Sequence, residues 1–336
     1  MLYLAVLLAL HLQPVSPTAP NLQPQLAAAN GTVALVFGSG DSIWFSKSAD
    51  NGANFSPASK IADLPKVLIG RHRGPRVAFA GNAIVVTAIS GDLYAWRSTD
   101  SGRTWSKPAI VNDKTDASRE GLNALAADPE GHLALAWLDD RTPGGKRLYG
   151  VFSNDSGATW SKNVVLYESP SGTICQCCAP SLAALGHGEF AVMWRNVVDG
   201  SRDLYTMRIR NGQPGPAAKS GAGTWKLDAC PMDGGGLTVH NGLVTAAWRR
   251  EHDVYLAEPG KPETRLAAGK DIAIASNSQG VYAAWTTPQG IEAHVPGSTS
   301  PVKISNAGAY PSLVALPSGG ILAAWEENNA IAFHRF

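Results

Sequence analysis

The amino-acid sequence predicts an all-β chain closed into a β-propeller of seven blades. Three observations carry this expectation. The 336 residues include 35 Gly and 22 Pro, and only 16% are charged. Turn formers in such number, without Glu- and Lys-rich runs, suit many short strands joined by turns. A unit also recurs at intervals of about 40 to 60 residues: an apolar strand, a Gly turn, then a second apolar strand that often ends in Ala-Trp. Finally, three of these units carry the same turn. They read Ser48-Ala-Asp50-Asn-Gly52-Ala-Asn-Phe55, Ser98-Thr-Asp100-Ser-Gly102-Arg-Thr-Trp105 and Ser153-Asn-Asp155-Ser-Gly157-Ala-Thr-Trp160.

The units begin near Pro24, Pro75, Leu122, Pro180, Pro231, Asp271 and Pro311, and their second strands include Leu133 to Trp137, Val281 to Trp285 and Ile321 to Trp325. A third alternating strand follows each pair, such as Asp92-Leu93-Tyr94-Ala95-Trp96. A meander of this kind cannot bury both faces alone. Packing the units radially buries them and leaves only short edges. The last repeat stops three strands in, after Phe333, so an N-terminal strand near residues 20 to 25 is expected to complete it. Six blades with one irregular unit is the alternative. In the shared turn, Asp bonds backbone N–H groups, Gly permits positive φ and the aromatic packs beneath the hairpin.

Residues 1–19 read as a signal peptide and 20–336 as one propeller domain. Leu2 to Leu12 is apolar apart from His11, too short to span a bilayer, and is followed by a Pro-rich linker, Pro14 to Pro24. The expected location is therefore secreted or periplasmic, where four cysteines have access to disulfide chemistry. No later run is apolar and long enough for a transmembrane segment. A net charge of +1 gives no basic stripe for nucleic acid.

The stretch Arg76 through Arg97-Ser98-Thr99-Asp100-Ser101-Gly102-Arg103-Thr104-Trp105-Ser106 resembles the first blade of bacterial sialidases, with an Arg on the inner strand and then an Asp box. The segment Tyr310-Pro311-Ser312-Leu313, followed by Leu316-Pro317, Gly319, Ile321 and Trp325-Glu326, is similar to the sialidase blade that supplies a tyrosine nucleophile. The chain thus resembles the sialidase-like, Asp-box (BNR repeat) β-propeller family. That resemblance implies an exo-glycosidase acting on sialic-acid-type sugars. It implies Tyr310 as nucleophile, Asp92 as acid/base, and an arginine at Arg76 to grip the substrate carboxylate. Arg195 and Arg249, each first after a strand ending in Trp, are candidates for the other two arginines such a site needs, because planar guanidinium groups pair bidentately with a carboxylate. Glu120, Glu251 and Glu326 compete for the base, and Glu326 is the choice taken forward.

The meander places the shared turns on one side of the ring, and the inter-blade links and the turns after each Ala-Trp on the other. The second side carries all these candidates, and Arg76, Asn123, Ser181, Asp233 and Tyr310 are expected to line the channel mouth. It also carries Cys175, Cys177, Cys178 and Cys230, the last at a position comparable to Cys178 in the next repeat. A disulfide from the Cys175–Cys178 segment to Cys230, a copper or zinc site with Met232, Asp233 or a His, and a redox-active thiol pair all fit. A Cys-x-Cys-Cys segment followed by Arg202-Asp203 and Cys230-Pro231 resembles an uncharacterised bacterial subgroup of such propellers. Two functions stay open beside a purely structural propeller. One is a glycosidase or binder taking a glycan or small anionic ligand. The other is a non-catalytic propeller that binds a metal or partner protein through its Cys-rich face.

Overall fold

In the computed structural model, which describes residues 18–336, the chain forms 28 strands and, among those residues, no helix. The leader expected over 1–19 lies almost wholly outside the described residues. The strands make seven antiparallel sheets, 22–63, 76–110, 123–167, 181–219, 235–268, 270–305 and 309–335, numbered here as blades 1 to 7. Neighbouring strands pair in chain order, as a meander requires, except that Ala218–Lys219 pairs with Leu204–Arg210 in blade 4. The seven-bladed count holds.

The expectation for ring closure is corrected. The segment near residues 20 to 25 belongs to Leu22–Ala29, the innermost strand of blade 1, and blade 7 has three strands among the described residues. Closure runs instead through Asn21 N–H to Asn329 O at 3.0 Å and through Gln23, whose amide and side-chain nitrogens both donate to Glu326 Oε1, at 2.7 and 2.8 Å.

Each pair of neighbouring blades shares an apolar cluster. Ala34, Val36 and Phe45 of blade 1 meet Val77, Ile84 and Trp96 of blade 2, and Leu35 and Phe37 of blade 1 meet Leu322 and Ile331 of blade 7. The Trp-bearing strand ends supply the largest members. Trp137, Trp194, Trp285 and Trp325 are fully buried. An indole removes more apolar area from water than any other side chain, which favours it wherever two wedge-shaped sheets must be filled.

The repeated turns are staples between blades. In each, the Ser hydroxyl donates to the Asp carboxylate, and the Gly N–H donates back to the Ser oxygen (Gly52 N to Ser48 Oγ 2.8 Å, Gly102 N to Ser98 Oγ 2.9 Å, Gly157 N to Ser153 Oγ 2.9 Å). The glycine has positive φ and lies against the preceding blade. A Cβ on Gly102 would stand 2.2 Å from the Phe45 ring. The terminal aromatic also crosses the gap rather than staying beneath its own hairpin: Phe55 stacks on Phe333 at 4.7 Å and Trp105 meets Phe45 edge-on at 5.3 Å. Ser156 N–H donates to Gly131 O at 3.0 Å, tying this turn to the strand one–two turn of its blade, so both lie on one side.

Candidate functional site

On the opposite side, the inner strands of blades 1, 6 and 7 each begin with the same irregularity. Between Leu22 and Gln25, Lys270 and Ala273, and Ala309 and Ser312, two residues on the inner strand face one on its partner. The extra residue allows a left-handed backbone at Gln23, Asp271 and Tyr310, with φ of 56°, 55° and 55°. A bulge of this kind re-aims one side chain. For a non-glycine residue the left-handed conformation costs about 1–2 kcal/mol.

These re-aimed groups meet a hairpin from the blade 1–2 link. Gly70 and Arg73 exchange both backbone hydrogen bonds around Arg71 and His72, whose φ values are 52° and 68°. Positive φ at both central residues is what a two-residue turn of this hand demands. The hairpin delivers His72 Nε2 to Asp271 Oδ1 at 2.9 Å and sets the imidazole edge-on to Tyr310, centroids 5.2 Å apart. Asp233, from the blade 4–5 link, is buried beside them. Its Oδ2 accepts the Asp271 N–H at 3.2 Å and lies 3.7 Å from Arg249, while its Oδ1 is buried without a hydrogen-bond partner.

The two aspartates are driven apart electrostatically. Burial, then the charge of Asp271, pushes the Asp233 carboxyl up. Burial acts the same way on Asp271, but the His72 hydrogen bond and charge outweigh it and the net shift is downward. Burial also raises Tyr310 and Glu326. A cavity of about 230 Å³ opens here, lined by Gln25, His72, Arg76, Ser181, Asp271 and Ser312 among others.

The structure brings some of the sequence candidates together and separates others. Tyr310 and Glu326 share the mouth, but Glu326 is held by Gln23, and the Tyr310 hydroxyl makes no hydrogen bond to a carboxylate among the described residues. Arg76 reaches the cavity with its donors turned onto carbonyls of its own link, His72 O, Gly74 O and Pro75 O, and burial lowers its pKa to about 10. Arg195 is buried and gives its donors to the carbonyls of Arg202, Arg249 and Asp233. Arg249 donates to Glu251 O, and the guanidinium carbons of Arg195 and Arg249 stand 5.2 and 5.3 Å from the Trp225 ring. Only Arg76 of the three lines the cavity. Asp92 braces an outer loop, accepting from Asn112 Nδ2 at 2.8 Å and Asp116 N–H at 2.7 Å. Asn123 is buried against Thr87 rather than exposed at the mouth.

The cysteines form the densest cluster. The outer edge of blade 4 is reduced to two short pieces, Gln213–Pro214 and Ala218–Lys219, and the chain beyond them carries Trp225, Cys230 and Met232 back over this face. Cys175 Sγ lies 3.0 Å from Cys178 Sγ and 3.8 Å from Cys177 Sγ, all three buried, and Met232 packs against them. Cys230, exposed, is within hydrogen-bonding reach of Cys177. Arg202 Nη1 donates to Cys175 Sγ at 3.5 Å. The close contacts with Cys177 and Cys178, with the nearby Arg195 charge, hold the Cys175 thiol well below the usual thiol range, while the same contact with Cys175 pushes Cys177 up.

No protein-family model matches the chain, and no curated protein matches it in sequence. Solved structures do resemble it. One is a protein of unknown function from Dyadobacter fermentans, 13% identical, TM-score 0.56, covering 96% of this chain and 98% of that one. Another is the intramolecular trans-sialidase from Ruminococcus gnavus in complex with oseltamivir carboxylate, 11% identical, TM-score 0.56, covering 96% and 95%. A third is the six-bladed fucose-recognising Aleuria aurantia lectin, 10% identical, TM-score 0.51, covering 94% and 93%. The likeness is one of fold.

The sequence pointed to Tyr310, Arg76 and the cysteines but not to His72, Asp271 or Gln23 as site residues. Asp271 and Tyr310 open the inner strands of adjacent repeats, and that shared position was the available signal.

Proposed function

We propose that the chain is an exported propeller that binds a thiophilic metal ion, copper(I), through Cys175, Cys177 and Cys178. The observation that carries this reading is the convergence of three buried sulfurs within 4.8 Å of one another. Thiolate and thioether ligands select soft ions, and Met232 offers a thioether beside the three thiols. Charge fits as well. Three thiolates and one monovalent ion leave a net −2, which the Arg195 and Arg202 guanidinium groups offset. Titration of the reduced chain with copper(I), with elemental analysis and thiol counting, tests the reading. About one ion per chain, lost in Cys175→Ser and Cys178→Ser, is the expected result. A chain that is fully reduced yet binds no copper(I), or one that isolates with a Cys175–Cys178 segment to Cys230 disulfide, overturns it.

A second reading rests on the cavity at the channel mouth, which Arg76 lines and beside which His72 sets its ring against Tyr310. The trans-sialidase of similar fold holds a carboxylate ligand and the lectin recognises fucose, which supports a glycan or small anionic ligand at this mouth. The Tyr310 hydroxyl has no carboxylate hydrogen-bonded to it among the described residues, which favours binding over hydrolysis. Turnover of a fluorogenic sialoside by the wild-type chain, abolished in Tyr310→Phe, would reverse that preference.

A further inference from the structure

Asp233 carries chemistry that neither reading uses. It is 1% exposed, yet Oδ1 has no hydrogen-bond partner. A buried carboxylate oxygen left without a donor is expensive, and such groups persist where something else satisfies them. Around it stand His72 and Asp271, and one ligand atom from each of the three residues lies within 4.8 Å of the others. We propose that His72, Asp233 and Asp271 form a second metal site, for a divalent cation of the Mn(II)-to-Zn(II) series, at the mouth of the channel.

The donor set is one imidazole nitrogen and two carboxylate oxygens, a hard-to-borderline combination that differs in kind from the sulfur cluster. A cation bound at about 2.0–2.2 Å from each atom fits between groups with this spacing after small side-chain adjustments. It replaces the present His72 Nε2 to Asp271 Oδ1 hydrogen bond with two coordinate bonds. It also gives the buried Asp233 carboxylate, which has one oxygen without a hydrogen-bond partner, a positive charge to face. Two cations now stand nearby, Arg249 at 3.7 Å from Asp233 Oδ2 and Lys270 at 3.6 Å from Asp271 Oδ2. Neither is within hydrogen-bonding distance, and Lys270 is half-exposed and free to withdraw.

The three ligands come from separate links, held by a two-residue hairpin, a blade junction and a bulge, so the ring frame fixes their spacing. His72 and Asp271 both line the cavity, which gives a cation a route in and leaves its remaining positions facing that space. An anion entering the mouth would meet the metal beside Arg76.

Mn(II) titration of the full chain, followed by electron paramagnetic resonance, is the direct test, because thiolates compete weakly for this ion. We expect about one Mn(II) per chain and a loss of affinity of at least about tenfold in Asp233→Asn, Asp271→Asn and His72→Gln. Arg249→Met, which removes a competing cation, is expected to tighten binding. The His72 change sits in a hairpin and guards against a variant that fails to fold, and melting of each metal-free variant checks that directly. Co(II) supplies a spectroscopic signature: weak d–d bands alone for this site, intense sulfur charge transfer for the cysteines. No bound Mn(II) at millimolar ion, equal affinity in wild type and all three ligand variants, or Co(II) bound only with sulfur charge transfer overturns the proposal, whatever the outcome with copper(I).

Discussion

The Arg202 guanidinium donates a hydrogen bond to the Cys175 sulfur at 3.5 Å, the one such contact from a cation to a cysteine among the described residues. The same side chain is fixed by its Nε bond to Leu227 O at 2.9 Å, and its own backbone N–H donates to Trp225 O at 2.8 Å. The charge is therefore held in place by the chain that crosses over blade 4.

A hydrogen bond to the charged form favours that form. In the reduced, metal-free chain, Arg202→Met is expected to move the first thiolate titration up by roughly one pH unit, read by ultraviolet thiolate absorbance. Arg202→Lys should recover part of the shift. An unchanged titration in Arg202→Met would mean that the thiolate does not feel this charge.

Gly102→Ala is expected to destabilise the fold by roughly 2–5 kcal/mol. About 1–2 comes from the left-handed backbone and about 1–3 from overpacking against Phe45. Gly31, with φ of 73° and nothing within 4 Å of a Cβ, is the control. Gly31→Ala should show the backbone part alone, about 1–2 kcal/mol in urea unfolding. Equal losses at the two sites would mean that the staple contact with Phe45 contributes nothing.

The aspartates of the repeated turns stabilise the fold in a defined pH window. Hydrogen bonds from Ser48 and Asn54 hold Asp50 down at about 2, and those from Thr159 and Ser153 do the same for Asp155. A folded-state pKa below the unfolded one gives stability that is present above about pH 4 and is lost as pH falls towards 2. The melting temperature should therefore fall across that interval, and Asp50→Asn with Asp155→Asn should flatten the fall. A double variant with the wild-type acid profile would refute the assignment.

Asp233 and Glu326 carry the opposite sign. Their carboxyl groups are raised, mainly by burial. Protonation then favours the folded state, so their contribution is lost as pH rises through the folded-state value. In metal-free chain, Asp233→Asn is expected to reduce the decline in melting temperature above the ordinary carboxylate range. A steeper decline in the variant would contradict this.

Much of the fold is legible in the sequence because it depends on repetition. Ala-Trp strand ends and the Ser-x-Asp-x-Gly turns recur in register, and each copy confirms the next. The split into two faces follows from the meander. The site is less legible because it depends on departures from the repeat. His72 and Asp271 are 199 positions apart and meet through a hairpin and a bulge that no periodicity announces. Arg76 is in place, yet its donors are taken by the carbonyls of its own link, which residue type alone does not reveal. Ring closure is illegible for a related reason. A three-stranded last repeat invites a borrowed strand, whereas the seam is held by Gln23, Glu326 and the Phe55–Phe333 stack.

The three equivalent bulges carry a consequence for how such a ring changes over time. Seven near-copies of one unit begin with equivalent positions around the axis, and a single inserted residue converts one of those positions from wall to reagent. Gln23, Asp271 and Tyr310 occupy the same inserted place and differ only in what they present. New chemistry can thus be assigned to any blade by one codon's insertion, with the rest of that blade's pairing left intact. Blades 2 to 5 lack an insertion at this place, and moving it into one of them would turn the mouth to a new side without altering the ring.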